Sequence, residues 1–313
     1  MRTASIAESL SAAFRHFQAA RLAEAEYACR EILAADPEQD AAMHLLGLIA
    51  LRFGRASMAV EWIGKACAQN PQNAEAFGNL GIALETVGEL DRASASFERA
   101  VELNPGYAEA WTNLGNLRLA QGRLDEAIGC HRRAIAARPS YAQGWCNLGI
   151  ALGARKHPGD SEEADASFER ALELNPKFAE AHNNLGLLLQ DRGDTLRAMD
   201  EFGRALSLKP DYAEAHNNLG FALESQGRLD EASIEYERAI QLKPNYPEAW
   251  SNRGGAFQAQ GKHLEAMACF DRALQLKPDF AIAHYNRALL FLLLGDFDSG
   301  FREYEWRWGF LRG

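Results

Sequence analysis

Seven asparagines, Asn79, Asn113, Asn147, Asn184, Asn218, Asn252 and Asn286, recur along this sequence, the first five directly before a Leu-Gly pair. An asparagine amide both donates and accepts hydrogen bonds, so a row of amides can pair with the backbone of an extended peptide whatever its side chains. Asparagine is a mediocre residue inside a helix, and its regular return therefore asks for a reason. Two readings stand side by side: a ladder that holds a peptide, or an amide inherited by duplication that satisfies a neighbouring turn or water. His182, His216 and His284 stand two residues before three of these asparagines, where Trp111, Trp145 and Trp250 stand before three others. The histidines are too far apart to converge on one metal ion and read as packing residues. Cys29, Cys67, Cys130, Cys146 and Cys269 form no CxxC pair and no zinc-ligand spacing, which favours reduced thiols. There is no glycine-rich phosphate loop after a strand, no strand pattern, and no Ser/His/Asp or metal constellation, so neither catalysis nor a cofactor is expected of these residues.

The elements that position the asparagines follow from a period. Pro37, Pro71, Pro105, Pro139, Pro176, Pro210, Pro244 and Pro278 are separated by gaps of 34, 34, 34, 37, 34, 34 and 34 residues. A fixed period of this size signals a repeat architecture. Gly47, Gly81, Gly115, Gly149, Gly186, Gly220 and Gly254 fall inside the first predicted helix of each repeat. Glycine there costs about 1 kcal/mol unless a neighbouring helix comes very close. Ala59, Ala93, Ala127, Ala164, Ala198, Ala232 and Ala266, each followed seven residues later by another alanine, put small side chains on one face of the second helix. A glycine such as Gly88 or Gly227 ends the first helix in a left-handed turn, and the repeat proline ends the second. Tyr107, Tyr141, Phe178, Tyr212, Tyr246 and Phe280, two residues past the prolines, are placed to wedge between one repeat and the next. The expected fold is all-α: a solenoid of stacked antiparallel helix hairpins, each burying its apolar side against its neighbours.

Trp111, Leu114, Gly115, Gly122, Ala127, Ala134 and Pro139 sit at offsets shared with the other repeats, and the pattern resembles the tetratricopeptide repeat over nearly the whole chain. The resemblance divides the chain into a degenerate first repeat or cap (1–39), seven repeats (40–280, with three extra residues in the turn of repeat 142–178) and an incomplete ninth repeat (281–313). It also implies that first helices line a concave face into which the seven asparagines point. Neighbouring hairpins stack about 10 Å apart, close to the rise of about three extended residues, so one amide per three ligand residues is workable. The strings Ala-Glu-Ala-Trp-Thr-Asn-Leu-Gly (108–115) and Ala-Glu-Ala-His-Asn-Asn-Leu-Gly (179–186 and 213–220) resemble the repeat region of O-GlcNAc transferases, whose asparagine ladder holds the backbone of the protein substrate. Glu75, Glu109, Glu180, Glu214 and Glu248 open the first helices, where the helix dipole favours a carboxylate regardless of any ligand. The carboxylate clamp of chaperone-binding repeats needs lysine where this chain has Glu180 and Asn183, and that mode is excluded.

The last unit departs from the rest. Its first helix reads Arg287 to Leu294 as apolar all round, with Leu289, Leu292 and Leu293 on it, and Phe301, Tyr304, Trp306 and Trp308 follow in place of a polar cap. An all-apolar helix needs covering on every face. A further domain, a second copy or another partner is expected against those seven residues. The ending, Gly-Asp-Phe at 295–297 and Glu-Tyr-Glu-Trp-Arg at 303–307, resembles the last repeat of bacterial proteins in which such repeats precede a glycosyltransferase domain.

With 43 acidic against 33 basic residues the net charge is -10, which argues against nucleic acid or an anionic membrane and suits a basic or neutral protein partner. Ala288 to Leu294, the longest apolar run, is too short to span a bilayer, and the amino-terminal residues lack a secretory pattern, so a cytoplasmic location is expected. Three functions are compatible with these residues: a module binding extended peptides in its groove, the substrate-recognition arm of a larger glycosyltransferase, or a scaffold that self-associates through its aromatic end.

Overall fold

The computed structural model describes residues 5–308. Eighteen helices fill them, and no strand occurs among the described residues. The chain divides into two compact units, 1–160 and 161–313, and the division falls at the three-residue insertion. The first unit holds the hairpins α1 (Ile6–Gln18) and α2 (Leu22–Ala35), α3 (Asp40–Arg52) and α4 (Ala56–Gln69), α5 (Ala74–Thr86) and α6 (Leu90–Leu103), and α7 (Ala108–Ala120) and α8 (Leu124–Ala137), followed by α9 (Ala142–Arg155). α10 (Asp160–Leu174) begins at the division. The second unit continues with α11 (Ala179–Asp191) and α12 (Thr195–Leu208), α13 (Ala213–Ser225) and α14 (Leu229–Leu242), α15 (Pro247–Ala259) and α16 (His263–Leu276), and α17 (Ala281–Leu293) and α18 (Phe297–Tyr304).

The alanine pattern does what its spacing requires. Ala59, Ala93, Ala127, Ala164, Ala198, Ala232 and Ala266 are fully buried, as are Ala100, Ala134 and Ala239 seven residues after three of them. The glycines of the first helices make room for something other than a helix backbone. A Cβ on Gly81 would lie 2.5 Å from the ring of Phe97, and one on Gly220 would lie 2.7 Å from the ring of Tyr236. Each ring comes from the second helix of the same hairpin, sixteen residues on, and burying it contributes about 2 kcal/mol. His131 fills that place under Gly115 and Ile63 fills it under Gly47. The wedge residues pack as expected at Tyr107, whose ring closes on Gly78 of the preceding first helix.

The turns show where sequence and conformation part. Gly88 and Gly227 have φ of 81° and 73°, in the left-handed region. Two repeats reach the same region without glycine, at Ala20 (φ 57°) and Lys156 (φ 56°). Lys156 caps α9, and the inserted turn behind it is locked by Arg155, whose guanidinium bonds Asp160 at 2.6 Å and Asp125 at 2.7 Å. The amino-terminal segment, which lacks the first-helix glycine, still forms a hairpin: Ala13 takes the glycine's place and is buried with Ala25, Cys29 and Ile32 against α3.

Candidate functional site

The ladder asparagines are half-buried on the first helices, except Asn147, which is only 6% exposed. Several of them tie one repeat to the preceding one. In the first unit, Asn79 Nδ2 lies 2.9 Å from His44 Nε2. Burial holds that imidazole below its ordinary pKa, so the neutral ring can accept the bond. Asn147 donates to Asn116 Oδ1 at 2.8 Å and accepts from Gln143 at 2.7 Å. In the second unit, Asn218 donates to Asn183 Oδ1 and Asn252 to Asn217 Oδ1, both at 3.0 Å. Asn113, Asn184 and Asn286 occupy the equivalent places on α7, α11 and α17. An amide has two N–H donors and two acceptor lone pairs, so one bond to a neighbouring repeat leaves capacity for a ligand. Asn147, with its oxygen and one N–H engaged, offers the least. The buried acceptors Asn183 and Asn217 escape the sequence reading, although the doubled asparagines at 183–184 and 217–218 are their signal.

Three of the five glutamates that open the first helices are neutralised from the next turn. Glu109 bonds Arg138 at 2.6 Å, Glu180 bonds Lys209 at 3.0 Å and Glu214 bonds Lys243 at 2.9 Å. The Lys243 ammonium also lies 4.6 Å from the Tyr246 ring centroid, and its bond holds the Glu214 carboxyl below the usual range. These pairs are exposed, and each is worth less than about 1 kcal/mol. They fix the helix ends and do not charge the face.

The tryptophans and histidines before the ladder share one partner. The indole N–H of Trp111, Trp145 and Trp250 donates to the carbonyl of Pro105, Pro139 and Pro244, at 3.0, 2.9 and 3.1 Å. His216 and His284 turn Nε2 to the carbonyls of Pro210 and Pro278 at 3.1 and 2.9 Å. Nδ1 of His182, His216 and His284 faces Glu201, Glu235 and Glu303 at 2.6, 2.6 and 3.2 Å. The histidines therefore pack as the sequence suggests, and each also has a carboxylate nineteen residues on that the sequence reading does not reach. Trp111 and Trp250 have the small residues Cys130 and Cys269 at that offset. Burial opposes the charged form of His216, but the Glu235 carboxylate and the Pro210 carbonyl outweigh it and hold the imidazole above its ordinary pKa.

All five cysteines are buried, and none of them forms a disulfide among the described residues. Burial pushes the Cys29 thiol up to about 12, with Glu26 adding to it, and the Cys67 and Cys269 thiols to about 11. Thiols held this far from ionisation are poor nucleophiles.

The seven carboxy-terminal residues singled out by hydrophobicity fall into two groups. Leu289, Leu292 and Tyr304 are half-buried within the last hairpin: Leu292 packs on Gly300, and the Tyr304 ring sits 5.6 Å from that of Tyr285. Leu293 and Phe301 are each 62% exposed, and Trp308 and Trp306 are exposed as well. One face of Trp306 is covered by His284, stacked at 4.2 Å between centroids. On α17 itself, Leu290 is fully buried with Ala266 and Phe270 of α16 and Phe257 of α15 packed around it, whereas Leu293 stays exposed.

Comparison with known proteins bears on the whole chain. A family model for the TPR repeat matches residues 158–193, 191–227 and 225–261, and models for the tetratricopeptide repeat match 79–142 and 247–280, together more than half of the sequence. No curated protein matches it. Among solved structures, a chain of the APC/C hetero-tetramer Cut9–Hcn1 aligns with a TM-score of 0.68 at 17% identity, over 86% of this chain and 52% of that one. This chain thus spans about half the length of that relative. PilF of Pseudomonas aeruginosa aligns at 0.56 and 21% identity, over 63% and 88% of the two chains. TTC0263, a thermophilic TPR protein of Thermus thermophilus, aligns at 0.52 and 28% identity, over 59% and 99%. The repeated hairpins, the buried alanines and these matches agree: the chain belongs to the tetratricopeptide-repeat family.

Proposed function

We propose that the chain binds extended protein segments along the first helices of each unit, with the ladder asparagines pairing to the ligand backbone. Repeats of this family mediate protein–protein interaction and are as a rule non-catalytic. The observation that carries the ligand class is the state of the amides. Asn218 and Asn252 are each oriented by one bond to the preceding repeat, and the Asn218 oxygen also accepts from Asn217 at 3.5 Å, so they meet a ligand with their geometry set and with a second N–H and an acceptor lone pair to offer. The five buried thiols, none in a disulfide among the described residues, support a reducing, cytoplasmic setting as part of the same reading.

The test is a peptide-array screen of the purified chain beside Asn113→Ala and Asn286→Ala. These rungs are chosen because substitution at Asn218 or Asn252 would also strand a buried acceptor. Broad binding by the parent, weakened in both variants at unchanged helicity, supports the ladder. Binding indifferent to both substitutions refutes it.

A second reading makes the repeats the substrate-recognition arm of a larger O-GlcNAc transferase-like glycosyltransferase. It is favoured by the strings at 108–115, 179–186 and 213–220 and by the aromatic ending at 303–307. The coding sequence beyond codon 313 decides it. The exposed Leu293, Phe301 and Trp308 support a third, self-association through the last hairpin, which concentration-dependent light scattering with Trp306 and Trp308 made polar would test.

A further inference from the structure

One turn beyond the ladder residue, the first helices of the second unit carry an opening with unusual chemistry. Phe221, three residues after Asn218, is 49% exposed. Gly255, three residues after Asn252 on the neighbouring first helix, presents bare backbone: a Cβ there would meet only Glu224 Oε1, at 3.5 Å. Glu224 is half-buried and spends its other oxygen, Oε2, accepting from the Tyr236 hydroxyl at 2.7 Å. No basic side chain among the described residues pairs with it. Four other half-buried or buried carboxylates have a cation: Asp160 has Arg155, Asp165 has Arg192, Glu201 has Arg204 and Glu303 has Arg287. Burial without a cation holds the Glu224 carboxyl above its usual range.

We propose that Phe221, Glu224 and Gly255 form a niche for the cationic side chain, arginine or lysine, of an extended protein segment lying across Asn218 and Asn252. This rests on the ladder reading and adds a side-chain preference to it. The aliphatic stem and the charged group of the incoming residue pack on the Phe221 ring, and the head bonds to the Glu224 oxygen that Tyr236 leaves free. Gly255 supplies the room. The first unit shows what closes such a niche. There Ile82 stands for Phe221 and Glu85, also raised by burial, for Glu224, but Asn116 takes the place of Gly255 and its oxygen is already held by Asn147. The net charge of -10 favours a basic partner on the approach.

The experiment uses the full chain and a positional-scanning library of fluorescein-labelled nonapeptides, read by fluorescence anisotropy. The parent is expected to prefer arginine or lysine over glutamine at one position by about tenfold, as a charge-assisted hydrogen bond provides. Glu224→Gln keeps an oxygen for Tyr236 and is expected to reduce that preference to about twofold or less while overall binding persists. Gly255→Leu, which fills the niche by a different route, is expected to do the same, with helicity and thermal midpoint unchanged in both. The proposal is overturned if the parent shows no basic preference, or if Glu224→Gln retains it. Binding that depends on Asn113 and Asn286 but lacks a basic preference removes the niche and leaves the ladder; no binding by the parent removes both.

Discussion

His131 occupies the place under a first-helix glycine that Phe97, Phe202 and Phe270 fill in other repeats, and the substitution His131→Phe is expected to stabilise the first unit. The imidazole is fully buried and neither ring nitrogen has a hydrogen-bond partner. Stranding buried polar atoms costs about 1–3 kcal/mol, and a phenyl ring removes both in a seat that holds one in other repeats, since a Cβ on Gly115 stands 2.5 Å from the His131 ring just as one on Gly81 stands 2.5 Å from Phe97. A second part of the gain depends on pH. Burial lowers the His131 pKa from the ordinary 6.5 to about 4. Above pH 6.5 the ring is neutral in both folded and unfolded chains and contributes no pH dependence. As the pH falls from 6.5 towards 4, the unfolded chain takes up a proton that the folded chain refuses, and stability is lost, up to about 3 kcal/mol at ~1.36 kcal/mol per unit. Hydrogen exchange of the α7 and α8 amides at pH 7.5 and pH 5, for parent and His131→Phe, separates the two parts. The variant should be more protected at both values and lose less on acidification; His44, also held below its ordinary pKa, leaves some acid slope in place. Equal protection of the two chains at pH 7.5 would refute the cost assigned to the unpaired nitrogens, and equal acid slopes would refute the burial argument.

The second unit should respond to pH in the opposite sense. His216 is held above its ordinary 6.5, so its stabilising contribution is complete below that value and is lost as the pH rises through the folded-state pKa; the stability that hydrogen-exchange protection of α13 and α14 reports should fall from pH 6 to pH 9 in the parent and stay flat across that range in His216→Trp. Ala20→Gly should stabilise the first hairpin by about 0.5–1 kcal/mol, because the left-handed φ of 57° is costly for alanine and free for glycine. Urea unfolding followed by circular dichroism reads the shift in midpoint, and no shift would mean that Ala20 carries no strain.

The fold is legible in the sequence because its signals repeat. Any one proline or glycine is ambiguous, but eight prolines in register and an alanine pair in seven of the nine second helices leave one architecture, and the hairpins follow it. Contacts within a hairpin are harder to see, since they depend on offsets that local periodicity does not display. The first-helix glycines read as room for a neighbouring helix, whereas they seat a side chain sixteen residues away; the histidines read as packing residues, and their carboxylates nineteen residues away leave no local mark. The asparagines illustrate a deeper limit. Sequence marks the position and not the bond, so the ties from Asn218 to Asn183 and from Asn252 to Asn217 emerge only when adjacent repeats are set side by side. The exposed Phe221 and the bare Gly255 acquire meaning the same way, through Glu224, which shares α13 with Phe221 and faces Gly255 on α15.

The histidine–glutamate and asparagine–asparagine contacts differ in how they survive copying. His182 and Glu201, like His216 and Glu235, lie in one hairpin, so a duplicated stretch of 34 residues carries both halves and arrives self-sufficient. The bond from Asn218 to Asn183 crosses a junction, and a hairpin inserted or deleted there must bring its own match on both sides. Growth of such an array is therefore free within each hairpin and policed at the seams, and a junction that lacks the amide pair is where a shuffled array would first come apart.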